Sequence, residues 1–205
     1  MSKIDTTDEC PAGELAGPGN LHTYRIRGLN RSALVLWSTG PEVTDDRVPT
    51  VTVDGHRRVP VFATTRQARA FANRQGRDLI TESDSTLELV RVQRWLADPA
   101  RRAVPSGPVL DAWNFFEDLA RGLRTEHSLP RQTAVHNDAY EKLFGGECSA
   151  WTPEERATVL ELLTAGVELW ETCPVVVNPR TPGDHSSRHA ARGSGEGPDP
   201  RDPAG

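Results

Sequence analysis

At 205 residues the chain is long enough for one ordinary domain with terminal segments to spare, and it carries a net formal charge of −5. Cys10, Cys148 and Cys173 are too widely spaced for a CxxC metal or redox motif, and they do not suggest a disulfide framework. Because no apolar run approaches the ~18 residues of a membrane-spanning helix, we expect a cytoplasmic protein that does not associate with membranes.

Both ends of the chain lack the apolar periodicity of a folded segment. Residues 1–20 show no periodic spacing of apolar residues, and residues 176–205 are rich in Pro, Gly, Arg and Asp. Segments of this composition bury too little apolar surface to offset their ordering entropy. We therefore predict a disordered leader over residues 1–20, a single domain over residues 21–175 and a disordered tail over residues 176–205.

The first part of the domain shows the patterns of β-strands. Loose alternation over residues 21–28 and an apolar run over residues 33–37 predict two strands. Asp54-Gly55 supplies the positive φ angles of a tight turn, so a hairpin is predicted with arms at residues 50–53 and 57–62.

Helix signals dominate the rest of the domain. Signals for helix starts occur at Thr64 with Gln67, at Ser85 with Glu88, at Asn137, and at Thr152 with Pro153 and Glu155. Strands followed by helices indicate an α+β fold. We predict a small, mostly antiparallel sheet packed against four to five helices.

The stretch "LDAWNFFEDLARGL" at residues 110–123 is the densest aromatic segment in the chain. At ~100° per residue its helix divides into an apolar and a polar side. The apolar side holds Val109, Ala112, Trp113, Phe116, Leu119, Ala120 and Leu123, which we expect to form core. The polar side holds Asp111, Asn114, Glu117, Asp118 and Arg121, which we expect to face water, with Asp118 and Arg121 paired at i,i+3.

Two apolar residues do not fit this division. Phe115 sits at the margin of the apolar side and Leu110 at its far flank, so both are candidates for an exposed contact with a partner. In the last helix, Gly166 lies within a broad apolar face, which predicts the close approach of another helix.

Catalytic motifs such as the nucleophile elbow, the P-loop and HExxH are absent from the sequence. The remaining, weak candidates for a catalytic site are His136 and Asp138, assisted by Glu126 or His127. Their alternative interpretation is a helix N-terminus with a solvated histidine. We expect neither a metal nor a cofactor.

Charge is distributed unevenly along the chain. Residues 21–77 carry ten arginines and four acids, whereas residues 78–172 carry nine bases and seventeen acids. The arginines include Arg57, Arg58, Arg66 and Arg69, which could form a basic face that contacts phosphates. The acidic half would repel a polyanion, and self-attraction of the two halves is the simpler interpretation.

"YEKLF" at residues 140–144, "WTPEERATVLELLTAGVELW" at residues 151–170 and "PVLDAWNFFEDLA" upstream resemble the C-terminal part of small cytosolic proteins that recur in high-GC Gram-positive bacteria. Those proteins are uncharacterised, so the resemblance implies a bacterial cytosolic origin and no activity. The present chain is short between Phe144 and Trp151 compared with that pattern.

These observations favour a non-catalytic protein that binds another protein, as an accessory or immunity-type factor does. Two alternatives stay open. One is a small enzyme of unknown reaction with its site near His136 and Asp138. The other is a nucleic-acid-binding protein that uses the Arg57–Arg77 face. The oligomeric state and the identity of the partner are not predicted.

Overall fold

The computed structural model of the protein describes residues 20–40 and 46–177. Almost all of the predicted leader and tail therefore lies outside the described residues. The elements follow in the order β1 (Asn20–Arg27), β2 (Ser32–Thr39), β3 (Val51–Val53), β4 (His56–Val61), α1 (Thr65–Arg74), β5 (Leu79–Leu87), α2 (Leu89–Ala97), α3 (Ser106–Leu123), α4 (Ala134–Phe144), α5 (Pro153–Thr172) and β6 (Pro174–Val176).

The strands form two three-stranded sheets. The first sheet has the order β2-β1-β5 and the second β3-β4-β6. In each sheet one pairing is antiparallel, β1 with β2 or β3 with β4, and the other is parallel, β1 with β5 or β4 with β6. The predicted α+β class is confirmed. Its strands, however, are divided between two mixed sheets instead of forming a single sheet.

Local turn and capping signals are found where the sequence places them. Asp54 and Gly55 have φ angles of 51° and 76° and close the β3–β4 hairpin. Thr64 caps α1 and Thr152 caps α5, each in a reciprocal capping box. The cap predicted at Asn137 is wrong, because α4 begins one turn earlier with Thr133 as its N-cap.

Strand β5 replaces the start of a predicted helix. Ser85 and Glu88 resemble a capping box, but residues 85–87 pair in parallel with residues 24–26 of β1. Leu87 is fully buried, and Glu88 becomes the N-cap of α2 without a side-chain cap bond. Pairing with a distant strand therefore overrides the local helix signal.

The first sheet is covered on both faces. Ile26, Ala33 and Val35 point to the core shared with α2, α3 and α5, whereas Leu34 and Leu36 point to a smaller core with α1 and the end of β4. Neighbouring residues of a strand face opposite sides of the sheet. The uninterrupted apolar run of β2 follows from this two-sided burial.

Helices α3 and α5 pack closely at the centre of the larger core. A Cβ atom on Gly166 would overlap the ring of Phe116, which is fully buried. The predicted close approach at Gly166 is thus confirmed. The seven residues assigned to the apolar side of α3 are all buried. Within residues 20–40 and 46–177, no helix combines the length and the apolar character needed to cross a membrane.

Candidate functional site: a ring-lined cleft between α3 and the first sheet

A cleft of about 350 Å³ opens between helix α3 and the first sheet. Three aromatic rings and four polar side chains line it: Tyr24, Trp37, Phe115, Ser85, Thr86, Asp111 and Asn114. Its walls come from β1, β2, β5 and α3. We call it the α3 cleft. Concave sites that combine apolar walls with a few polar groups are typical of ligand pockets.

Two rings of the cleft come from adjacent antiparallel strands. In the register of β1 and β2, Tyr24 lies opposite Val35 and His22 opposite Trp37. Tyr24 and Trp37 are therefore diagonal neighbours on the same face of the sheet. Their ring centroids are 5.3 Å apart, with an angle of 59° between the planes. The two rings are thus inclined to each other, and both line the cleft.

The third ring comes from helix α3. Phe115 stacks on Tyr24 with centroids 6.0 Å apart, and it contacts Trp170 edge-on at 5.6 Å. Only 5% of Phe115 is exposed. The prediction that Phe115 forms an exposed contact is therefore wrong, because the sheet covers this side of the helix. Leu110, the other residue of that prediction, is half-buried and packs against the larger core.

A register shift in β5 contributes the hydroxyl groups of the cleft. His22 pairs with Ile80 and Tyr24 pairs with Ser85, so two positions along β1 correspond to five along β5. This irregularity places Ser85 and Thr86 beside Tyr24. Bulged strand pairings often re-aim side chains next to functional sites.

The polar residues of the cleft occupy one stripe of α3. Asp111, Asn114, Phe115 and Asp118 recur at i, i+3, i+4 and i+7, a spacing that places them on one side of a helix. The expectation that this side faces open water is wrong for Asp118, which is 7% exposed. Asp111 remains exposed at the rim of the cleft, and its carboxylate contributes to the lining.

Asp111 is a carboxylate without a counter-charge in the described part of the chain, where no ion pair or hydrogen bond engages it. Partial burial raises its pKa, because the neighbouring protein displaces water that would stabilise the charge. The pKa of Tyr24 is also raised, first by burial and then by the negative charges of Asp111 and Asp118. The negative charges of Asp111 and Asp118 therefore act on the Tyr24 hydroxyl group.

Asp118 lies further along the same stripe and has a structural partner. Its Oδ1 accepts a hydrogen bond from Arg121 Nη1 at 2.6 Å, which confirms the predicted i,i+3 pair. Arg121 also donates to the carbonyl of Asp46, and Val48 N–H donates to the carbonyl of Asp118. Burial outweighs the arginine and raises the pKa of Asp118 to about 6.

The weak catalytic candidates do not share an accessible site. His136 is 6% exposed, and its Nδ1 accepts the backbone N–H of Thr133 at the start of α4. Asp138 is exposed two residues further on, at ~200° around the helix. Glu126 and His127 are exposed in a short 3₁₀ helix. His136 is thus a capping residue packed against the edge of a tryptophan, not a solvated histidine.

The predicted basic face is reduced by structural roles of two arginines. Arg57 Nη1 donates to the carbonyl of Gly122 at 3.1 Å, and Arg58 Nη1 donates to the carbonyl of Thr172 at 2.6 Å. Both guanidinium groups therefore connect the β3–β4 hairpin to the helices. Arg66 and Arg69 lie exposed on α1.

No cluster of three or more His, Cys, Asp or Glu side chains suited to a metal ion occurs within the described residues. In comparisons with known proteins, no family model, no curated protein and no solved structure matches the chain.

Of the lining residues, the sequence indicated only Phe115 as a site residue. It did not indicate Tyr24, Trp37, Ser85, Thr86, Asp111 or Asn114. One signal was present: Phe115 interrupts the polar stripe of α3, which indicates that another element covers part of that stripe. The identity of that element depends on the pairing of β1 with β5, which the local sequence does not reveal.

Proposed function

We propose that the protein is a non-catalytic binding protein and that the α3 cleft is its binding site. The observation that carries the proposal is the cleft itself, in which three aromatic rings adjoin one carboxylate, one amide and two hydroxyl groups. Its volume of about 350 Å³ lies at the lower end of the range for ligand pockets. The rings supply contact area, and the polar groups supply orientation.

A cleft of this size accommodates a small organic molecule or a single side chain of a partner protein. The accessory-type protein-binding role expected from the sequence is therefore one form of this proposal. The cleft takes the place of the surface that Leu110 and Phe115 were expected to form. The carboxylate of Asp111 in its lining also gives the acidic half of the chain a role in recognition.

The proposal is tested by following the indole N–H of Trp37 in ¹H–¹⁵N spectra, with Trp37→Phe as the assignment control. Benzyl alcohol, benzoate and benzylamine serve as neutral, anionic and cationic probes. At least one probe should shift the Trp37 signal in a saturable manner. Binding should disappear in Ser85→Trp, which fills the cleft, and persist in Ser32→Trp, a substitution at an exposed position of β2.

The proposal fails if none of the three probes shifts Trp37 up to its solubility limit. It also fails if binding is equal in Ser85→Trp and in the unmodified protein while both remain folded. Melting curves of the two tryptophan variants establish that each is folded at the temperature of the titration.

A further inference from the structure

We propose that the α3 cleft recognises a protonated amine attached to a small apolar body. This inference rests on the proposed binding function and specifies its ligand class. It follows from the combination of unpaired negative charge with ring faces in one small cavity. The two features attract a cation by different physical interactions.

The first feature is the carboxylate of Asp111. It lines the cleft, and within the described residues it has neither an ion-pair partner nor a hydrogen-bond donor. A partly desolvated carboxylate is stabilised by a cation that binds beside it. An ammonium group within the cleft would supply both the positive charge and the N–H donors that Asp111 lacks.

The second feature is the arrangement of the rings. Tyr24 and Trp37 are inclined at 59°, and Phe115 stacks on Tyr24 at an angle of 28°. Aromatic faces attract cations through the ring quadrupole, and tryptophan is the strongest of the three. Tyr24 and Phe115 are buried and stack on each other, so the half-buried Trp37 is the ring that a cation in the cleft can reach most readily.

The remaining lining groups suit an N–H donor as well. Ser85 and Thr86 carry hydroxyl oxygens that can accept hydrogen bonds. Asn114 Oδ1 already accepts a hydrogen bond from the hydroxyl of Tyr140 at 3.1 Å, which holds the amide in place. Among the described residues that line the cleft there is no arginine or lysine, so none of these side chains competes with a cationic ligand.

The shared chemistry has two possible sources, a free small amine and a lysine side chain of a partner protein. Benzylamine represents the first source, and Nα-acetyl-lysine methylamide represents the second. Benzyl alcohol is the neutral isostere of benzylamine. Isothermal titration of the full-length protein with each probe measures the preference for charge, and the tighter of the two amines identifies the source.

The decisive variant is Asp111→Asn, which removes the charge and keeps the shape. The affinity for the preferred amine should fall about tenfold, as expected for the loss of a charge-assisted hydrogen bond. The affinity for benzyl alcohol should not change. Asp138→Asn removes an exposed carboxylate from α4 and should leave both affinities unchanged. Trp37→Leu should weaken the binding of benzyltrimethylammonium, because this cation has no N–H donor and its affinity depends on contact with the rings.

The inference is overturned if benzyl alcohol or benzoate binds at Trp37 as tightly as either amine does. It is also overturned if Asp111→Asn lowers the affinities for amine and alcohol equally. Those results would leave the binding function intact, because probes would still occupy the cleft. A complete absence of probe binding would instead remove the proposed function itself.

Discussion

Replacement of Asp118 by asparagine should change how the stability of the protein depends on pH. Asp118 is 7% exposed and pairs with Arg121 at 2.6 Å, yet burial raises the pKa of its carboxyl group to about 6. Asparagine keeps the shape of the side chain and an oxygen that accepts the hydrogen bond of Arg121. It cannot ionise, so the variant isolates the cost of the buried charge.

The sign and size of the effect follow from proton linkage. An unfolded aspartate has a pKa of ~3.9. From about pH 4 to pH 6 the folded protein therefore retains a proton that the unfolded chain releases. The contribution of Asp118 to the free energy of unfolding should therefore fall over this interval. A pKa difference of ~2 corresponds to a decrease of ~3 kcal/mol in the free energy of unfolding. The Asp118→Asn variant should not show this decrease.

Urea unfolding at a series of pH values from about 4 to 7 measures this difference. The stability of the variant relative to the unmodified protein should rise with pH by about 3 kcal/mol. The control variant Asp138→Asn, which alters an exposed position of α4, should retain the pH dependence of stability that is due to Asp118. Parallel pH profiles for the Asp118→Asn variant and the unmodified protein would refute the assignment of a buried, weakly compensated carboxylate.

Two further predictions concern packing and capping. Gly166→Ala should destabilise the protein by about 1–3 kcal/mol, because its Cβ would meet the buried ring of Phe116; Thr164→Ala, at an exposed position of the same helix, should cost almost nothing in thermal unfolding. An equal effect of the two would contradict the close approach of α3 and α5. Thr64→Ala should cost about 1 kcal/mol in urea unfolding, since it removes the reciprocal cap with Gln67. An unchanged unfolding midpoint would show that this cap contributes nothing.

The elements that local sequence predicts are those stabilised by local interactions. The Asp54-Gly55 turn and the caps at Thr64 and Thr152 depend on residues within one turn of each other, and all three are found in the structure. The apolar side of α3 follows in the same way from helical periodicity.

Strands β5 and β6 were missed because their pairings are non-local. Residues 85–87 join β1, which lies about sixty positions earlier in the sequence, and β6 joins β4 after the whole helical half of the chain. A local capping pattern at Ser85 and Glu88 competes with the first of these pairings. Only the contact with β1 decides between strand and helix.

The candidate site was missed for a related reason. A helical projection shows that Asp111, Asn114 and Phe115 share one side of α3, but it does not show which element lies opposite that side. In the structure the rings of Tyr24 and Trp37 lie there. The side that was expected to face water is therefore partly covered, and its uncovered part becomes the rim of the α3 cleft.

A cation bound in the α3 cleft should lie against its rings. Intermolecular NOEs from the methyl protons of benzyltrimethylammonium to the protein locate the bound cation, because these protons surround the charge. NOEs to the ring protons of Tyr24, Trp37 and Phe115 are expected at saturation. Saturable binding with NOEs only to residues outside the cleft would contradict this expectation.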